Sequence, residues 1–144
     1  ILFILMILFI KFVWNNVISS LSKFIISVQS VQVFESVEAE FWTVVILAPL
    51  GETFLFQYLV FIALDQVNLG KGWIVLISAS LFSFIHNYSP FYILYAFGSG
   101  IIYGYAYWLS QVKYRFPFMI VALIHALHNL YVFLIKYNKI SFML

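Results

Sequence analysis

The chain has 144 residues, 65% of them hydrophobic and 8% charged, with a formal net charge of +2. A water-soluble domain is about a quarter charged, so this composition excludes one and indicates a single-domain polytopic membrane protein. The small net charge gives no footing for nucleic acid, and the absence of cysteine excludes disulfides and thiolate metal sites.

In chain order, residues 1–14 are apolar except for Lys11 and read as a membrane helix. The first residue is Ile1 rather than Met, which points to a fragment with an upstream helix missing. No small-residue cleavage site follows residues 1–10, so they do not read as a signal peptide. Across 15–33, Val17, Leu21, Phe24, Ile25, Val28 and Val31 recur at helical spacing among serines and glutamines. That pattern suits an amphipathic helix at the interface or a polar-faced continuation of the first helix. Glu35, Glu38 and Glu40 then mark a solvated helix entrance, where acids complement the N-terminal dipole.

Phe41–Leu64 is a long apolar run with Trp42 as its interfacial anchor and Pro49 inside it. Asp65 to Gly72 is a polar turn, and Trp73–Asn87 a short helix ended by Ser89-Pro90. Phe91–Leu109 carries Ala96, Gly100 and Gly104 one turn apart, a face that lets a neighbouring backbone approach closely. Tyr103, Tyr105 and Tyr107 read as packing and interfacial residues. Lys113 and Arg115 mark a basic turn, and Phe116–Lys136 is the last span, with Pro117 in its first turn. The expected architecture is an all-α transmembrane bundle of about five membrane helices, one membrane-embedded domain over 1–144 with its catalytic core at about 41–136. Lys71, Lys113 and Arg115 on one side balance Lys23, Lys136 and Lys139 on the other, so loop charge does not select an orientation.

Glu52 is the residue the composition does not explain. It lies about eleven residues into its run, roughly 16 Å at helical rise and so near mid-bilayer. No Lys or Arg stands between Lys23 and Lys71 to neutralise it. A lone acid at that depth costs roughly 2.5–3.5 kcal/mol on insertion scales and marks a functional site by default. Its candidate partners are His86, four residues after Phe82, and His125 with Asn129, four apart on another helix. Helix directions put all of them toward the side bearing the 15–40 segment and the C-terminus, around one cavity. His128 reads as an interhelical hydrogen-bonder.

Such a set permits hydrolysis. A carboxylate in a poorly solvated pocket suits a general base, with His86 helping it activate a water. His125 and Asn129 suit hydrogen-bond donation to a developing oxyanion. Alternatively, Glu52, His86 and His125 make a two-histidine, one-carboxylate zinc set. The cofactor is therefore none or zinc. The reading leans metal-free, because Glu52 is the only carboxylate left inside these helices and a zinc site would need a separate base. No His-Glu-x-x-His run is present.

The ordered motifs are Ala48-Pro49-Leu50-Gly51-Glu52-Thr53-Phe54-Leu55-Phe56-Gln57, then Phe82-x-x-x-His86, then His125-x-x-x-Asn129. With them the chain resembles the CPBP intramembrane proteases, which include CAAX prenyl proteases and bacteriocin-processing or self-immunity membrane proteins. The resemblance covers about residues 41–135. It implies an intramembrane endopeptidase in which Glu52 is the catalytic glutamate, His86 its partner, and His125 with Asn129 the oxyanion-stabilising pair. It departs from the family's Glu-Glu-x-x-x-Arg at Thr53 and Gln57, both neutral and still able to hydrogen-bond. Those departures keep a second class open, a catalytically silent relative acting as a membrane scaffold or immunity partner. A Glu- and His-based transporter is a third, disfavoured because the chain shows no inverted repeat. The expected partners are a peptide or protein substrate and the lipid bilayer, with no oligomeric state implied. Phe-, Ile-, Tyr- and Lys-leaning usage points to a bacterial source and its inner membrane.

Overall fold

A computed structural model describes residues 1–22 and 33–141. Among them the chain is wholly helical: α1 (Leu2–Ser22), α2 (Val37–Asp65), α3 (Lys71–Ile85), α4 (Pro90–Lys113) and α5 (Pro117–Ser141). α1, α2 and α5 are long and apolar enough to cross a membrane, and α3 is a shorter apolar helix. Large apolar side chains such as Phe9, Leu55 and Phe84 are exposed on the outside of the bundle, as a lipid-facing surface requires. The chain is an integral membrane protein.

Local chemistry sets the helix ends. The Ser36 side chain accepts from the Ala39 N–H, so α2 starts at Val37, before the expected Phe41. Ser89 accepts from the Tyr92 N–H, and Pro90 supplies a first turn that needs no donor. α1 runs past residue 14 to Ser22, so residues 15–22 continue it; residues 23–32 of the expected amphipathic segment lie outside the described residues. α3 stops at Ile85 and leaves His86 just beyond the helix instead of on its last turn. Asn68 takes a left-handed φ of 54° where the chain turns between α2 and α3.

α4 is the central helix and packs against α1, α3 and α5. Its small residues allow this: a Cβ on Gly100 would lie 2.7 Å from Ala79 Cα, and one on Gly104 would lie 3.3 Å from Val75 Cγ1. Tyr103 and Tyr107 are buried with Phe61, Ile74, Val121 and Ile124, whereas Tyr105 faces outward. Ion pairs tie both ends of the bundle. Lys71 Nζ meets Asp65 at 2.6 Å, closing the α2–α3 turn. At the other end Glu40 accepts from Lys136 Nζ at 2.7 Å and from the Tyr137 hydroxyl at 2.9 Å, joining α2 to α5.

Candidate active site

α2 is not a uniform α-helix. It widens to π-helical pairing over Phe41–Leu47 and again over Thr53–Leu59, with the α-helical turn Ala48–Glu52 between. Single-turn π segments concentrate at functional sites, and Pro49 gives a physical reason for the first. A proline ring crowds the carbonyl four residues before it and brings no N–H. Here the Ala48 N–H reaches back to Thr43 O. Val44 O therefore gets no bond from Ala48, and none from Pro49. The Asn129 amide fills that need, donating from Nδ2 to Val44 O at 2.8 Å. Buried carbonyls of this kind are costly without a partner. One Asn129 N–H thus locks α5 to α2 about two turns before Glu52.

His86 is fixed in a similar way. Its own N–H turns to Ser83 O, so Phe82 O, at the end of α3, lacks its usual backbone donor. His86 Nδ1 lies 2.7 Å from Phe82 O. A carbonyl only accepts, so Nδ1 carries the proton and Nε2 presents a bare lone pair. The His86 ring thus returns to the carbonyl four residues back. Phe82 packs at 4.5 Å on one side of the imidazole and Tyr92 stacks at 5.9 Å.

Glu52 lies between two imidazoles. Its Oε1 is 3.8 Å from His86 Nε2 and its Oε2 is 3.7 Å from His125 Nε2. Both distances exceed a direct hydrogen bond. His125 is buried, stacked on Tyr103 with centroids 4.4 Å apart, and its Nδ1 has no partner among the described residues. Glu52, His86, His125 and Asn129 all line one cavity of about 220 Å³. A wider opening shares Tyr92, Tyr95, His128 and Asn129 with it and reaches Asn15, Ser89 and Lys136 at the helix ends.

Two histidines and a carboxylate are a chemically apt zinc set, but the spacing is wide for one. Ligand atoms about 2.0–2.1 Å from a tetrahedral zinc stand about 3.3 Å apart, against 3.7 and 3.8 Å here. Among the described residues no three His, Cys, Asp or Glu side chains are grouped to hold a metal ion.

His128 meets its expectation, while Thr53, Gln57 and Lys11 fall differently. His128 is an interhelical bonder, its Nε2 2.8 Å from the Tyr95 hydroxyl, and it also lines the cavity. Thr53 and Gln57 are fully buried, yet Thr53 Oγ1 and both polar atoms of the Gln57 amide find no partner among the described residues. The hydrogen bond that could have replaced the family's charged pair is not made. Lys11, read only as an exception in an apolar run, is buried and lines the cavity. The rule that singled out Glu52, an ionisable residue inside a membrane helix, was the signal that would have found it.

The family model for type II CAAX prenyl endopeptidase Rce1-like proteins matches residues 35–131, more than half of the chain and a span that contains Glu52, His86, His125 and Asn129. No curated protein and no solved structure matches the chain. The chain belongs to the Rce1-like type II CAAX prenyl endopeptidase family, a family of membrane proteases acting on peptide or protein substrates.

Proposed function

We propose that the chain is an intramembrane endopeptidase that hydrolyses a peptide bond with a water activated by Glu52 and His86. The carrying observation is the Glu52 carboxylate, held between two imidazoles at 3.8 and 3.7 Å with no lysine or arginine paired to it among the described residues. A water between Glu52 and the bare Nε2 of His86 donates one hydrogen to each. That arrangement turns its oxygen lone pair toward a substrate carbonyl. As the new C–O bond forms, Glu52 takes the proton. It then passes the proton to the amine nitrogen as the C–N bond breaks. His125 Nε2–H and the second N–H of Asn129 stabilise the oxyanion between those steps. The Asn129–Val44 bond supports this role by holding the amide in place with one hydrogen still to donate.

The compartment we propose is a bacterial inner membrane, on the composition alone. A second reading, a silent relative acting as a scaffold or immunity partner, is favoured by one observation: Thr53 and Gln57 are neutral and unpartnered where the family pattern is charged. The separating experiment is cleavage of an S-farnesylated CAAX peptide by the purified protein in detergent. The hydrolase cleaves it, loses cleavage in Glu52→Ala, and keeps its rate in a strong chelator. Activity lost on chelation and restored by zinc would instead place Glu52, His86 and His125 around a metal. An inert wild-type protein whose biological assay tolerates Glu52→Gln is the silent relative.

A further inference from the structure

Lys11 lies outside the family match, on α1, and the mechanism above makes no use of it. Its side chain is 1% exposed. The ammonium donates to Ser99 Oγ at 2.6 Å and to the Tyr95 hydroxyl at 3.4 Å, and lies 4.7 and 5.1 Å from the Tyr95 and Tyr103 ring centroids. All of these partners are neutral. Among the described residues Lys71 pairs with Asp65 and Lys136 with Glu40, and no carboxylate pairs with Lys11. An ammonium has three donors, and a buried one is retained when an anion or a full set of acceptors meets it.

The placement of Lys11 is firm. One turn later Trp14 Nε1 donates to Tyr95 O at 3.0 Å, and its indole occupies the space a Cβ on Gly98 would take, 2.2 Å from Cζ2. α1 is thereby set in register against α4, where Lys11 lines the cavity beside its partners Tyr95 and Ser99. The cavity lining holds one ammonium, Lys11, and one carboxylate, Glu52. The Tyr103 ring carries Lys11 within cation–π reach and stacks on His125. The cation thus stands one aromatic ring from the proposed oxyanion donor.

We infer that Lys11 is a carboxylate-recognition subsite of this cavity, receiving a carboxylate of the bound peptide and so fixing which peptide bond reaches Glu52. The inference rests on the protease reading for the role of Glu52. The carboxylate has two sources, a free peptide C-terminus or an Asp or Glu side chain near the scissile bond. A cation that reads the terminus makes the enzyme cut at a fixed distance from the chain end.

The test uses the full chain in detergent and three S-farnesylated peptides. One ends Cys-Val-Ile-Ala as the free acid, one is its C-terminal amide, and one is the amide with Asp in the last position. Affinity is read by fluorescence anisotropy on the Glu52→Gln background, so that binding is scored without turnover. The free acid should bind roughly 10- to 100-fold tighter than the amide, the span of a charge-assisted hydrogen bond. If the carboxylate comes from a side chain, the Asp-amide gains the advantage instead. In Lys11→Met the ratio should collapse to about one, while Lys11→Arg keeps part of it. Ser99→Ala, which removes an acceptor of the ammonium, should lower the ratio and serves if Lys11→Met does not fold. Equal affinity for all three peptides overturns the subsite, as does a preference that survives Lys11→Met. The two readings fail separately. Equal cleavage of all three peptides by the wild type leaves the protease and removes the subsite. A binding preference without any cleavage does the reverse.

Discussion

Glu40 and Glu52 stand twelve residues apart on α2 in opposite surroundings. Glu40, at the helix entrance, takes Lys136 Nζ at 2.7 Å on both oxygens and the Tyr137 hydroxyl at 2.9 Å on one. Glu52, deeper in the bundle, has among the described residues only two imidazoles beyond direct hydrogen-bond range. The first acid is neutralised and joins α2 to α5. The second gains nothing structural that would offset its desolvation, so its retention points to chemistry. The lysines repeat the contrast, with Lys136 paired at the rim and Lys11 buried among neutral partners. In this bundle a paired charge fastens helices, and an unpaired one faces the cavity.

The largest expected effect breaks the unpaired side. Glu52→Gln should lower the rate of peptide cleavage by roughly 10²–10⁴-fold, the usual worth of a positioned general base. The melting temperature in detergent should hold or rise, because a neutral amide costs less to keep in an apolar bundle. A variant that melts earlier and loses activity only in proportion would make Glu52 a structural residue. In the wild type the cleavage rate should fall as acid protonates Glu52, since a protonated carboxyl cannot take the water's proton.

The amide that positions this site comes next. Asn129→Leu should cut cleavage by roughly 10²-fold, the scale for losing one oxyanion donor. It should also cost about 1–3 kcal/mol of stability, because Val44 O loses its only partner from α5. Rate and unfolding midpoint should therefore fall together, unlike in Glu52→Gln. A rate loss with an unchanged midpoint would mean that Val44 O finds another donor.

Much of this contrast was legible in the sequence. Glu52, His86, His125 and Asn129 stand out because polar residues in apolar runs are few and share i, i+4 faces. The widening of α2 was not legible, because apolar spacing does not record which carbonyl each N–H chooses. Pro49 was its visible cause, but the Val44–Asn129 bond joins residues 85 apart in sequence. Lys11 was hidden for the same reason. Its acceptors, Tyr95 and Ser99, lie 84 and 88 residues away, so its burial is a property of the α1–α4 packing. The Thr53–Gln57 spacing allowed a hydrogen bond, but spacing does not fix where the side chains point, and the bond is absent.

Gly98 probes how firmly the unpaired lysine is held. An alanine there must displace the Trp14 indole, since its Cβ would sit 2.2 Å from Cζ2. Overpacking of this kind costs about 1–3 kcal/mol. Gly98→Ala should lower the unfolding free energy in detergent by that amount, and so the unfolding midpoint, and shift the tryptophan emission as the Trp14 indole moves. An unchanged midpoint would mean that α1 docks loosely and that the position of Lys11 is not set by Trp14.

The smallest effect belongs to the paired acid, and it sharpens the contrast by inverting it. Glu40→Gln removes the charge that Lys136 meets but keeps an oxygen able to accept from Lys136 or Tyr137. The Lys136 side chain is 43% exposed, so solvent already screens the pair and its worth is at most about 1 kcal/mol. The melting temperature should fall by about 1–4 °C, and cleavage should stay within about threefold of the wild type. High salt should narrow the difference in melting between the two proteins, because ions screen an exposed pair and leave a neutral amide untouched. Glu52→Gln, by contrast, takes the rate and spares the fold. If Glu40→Gln abolishes cleavage without moving the melting curve, the rim pair belongs to the catalytic apparatus, and pairing no longer separates fastening charges from working ones.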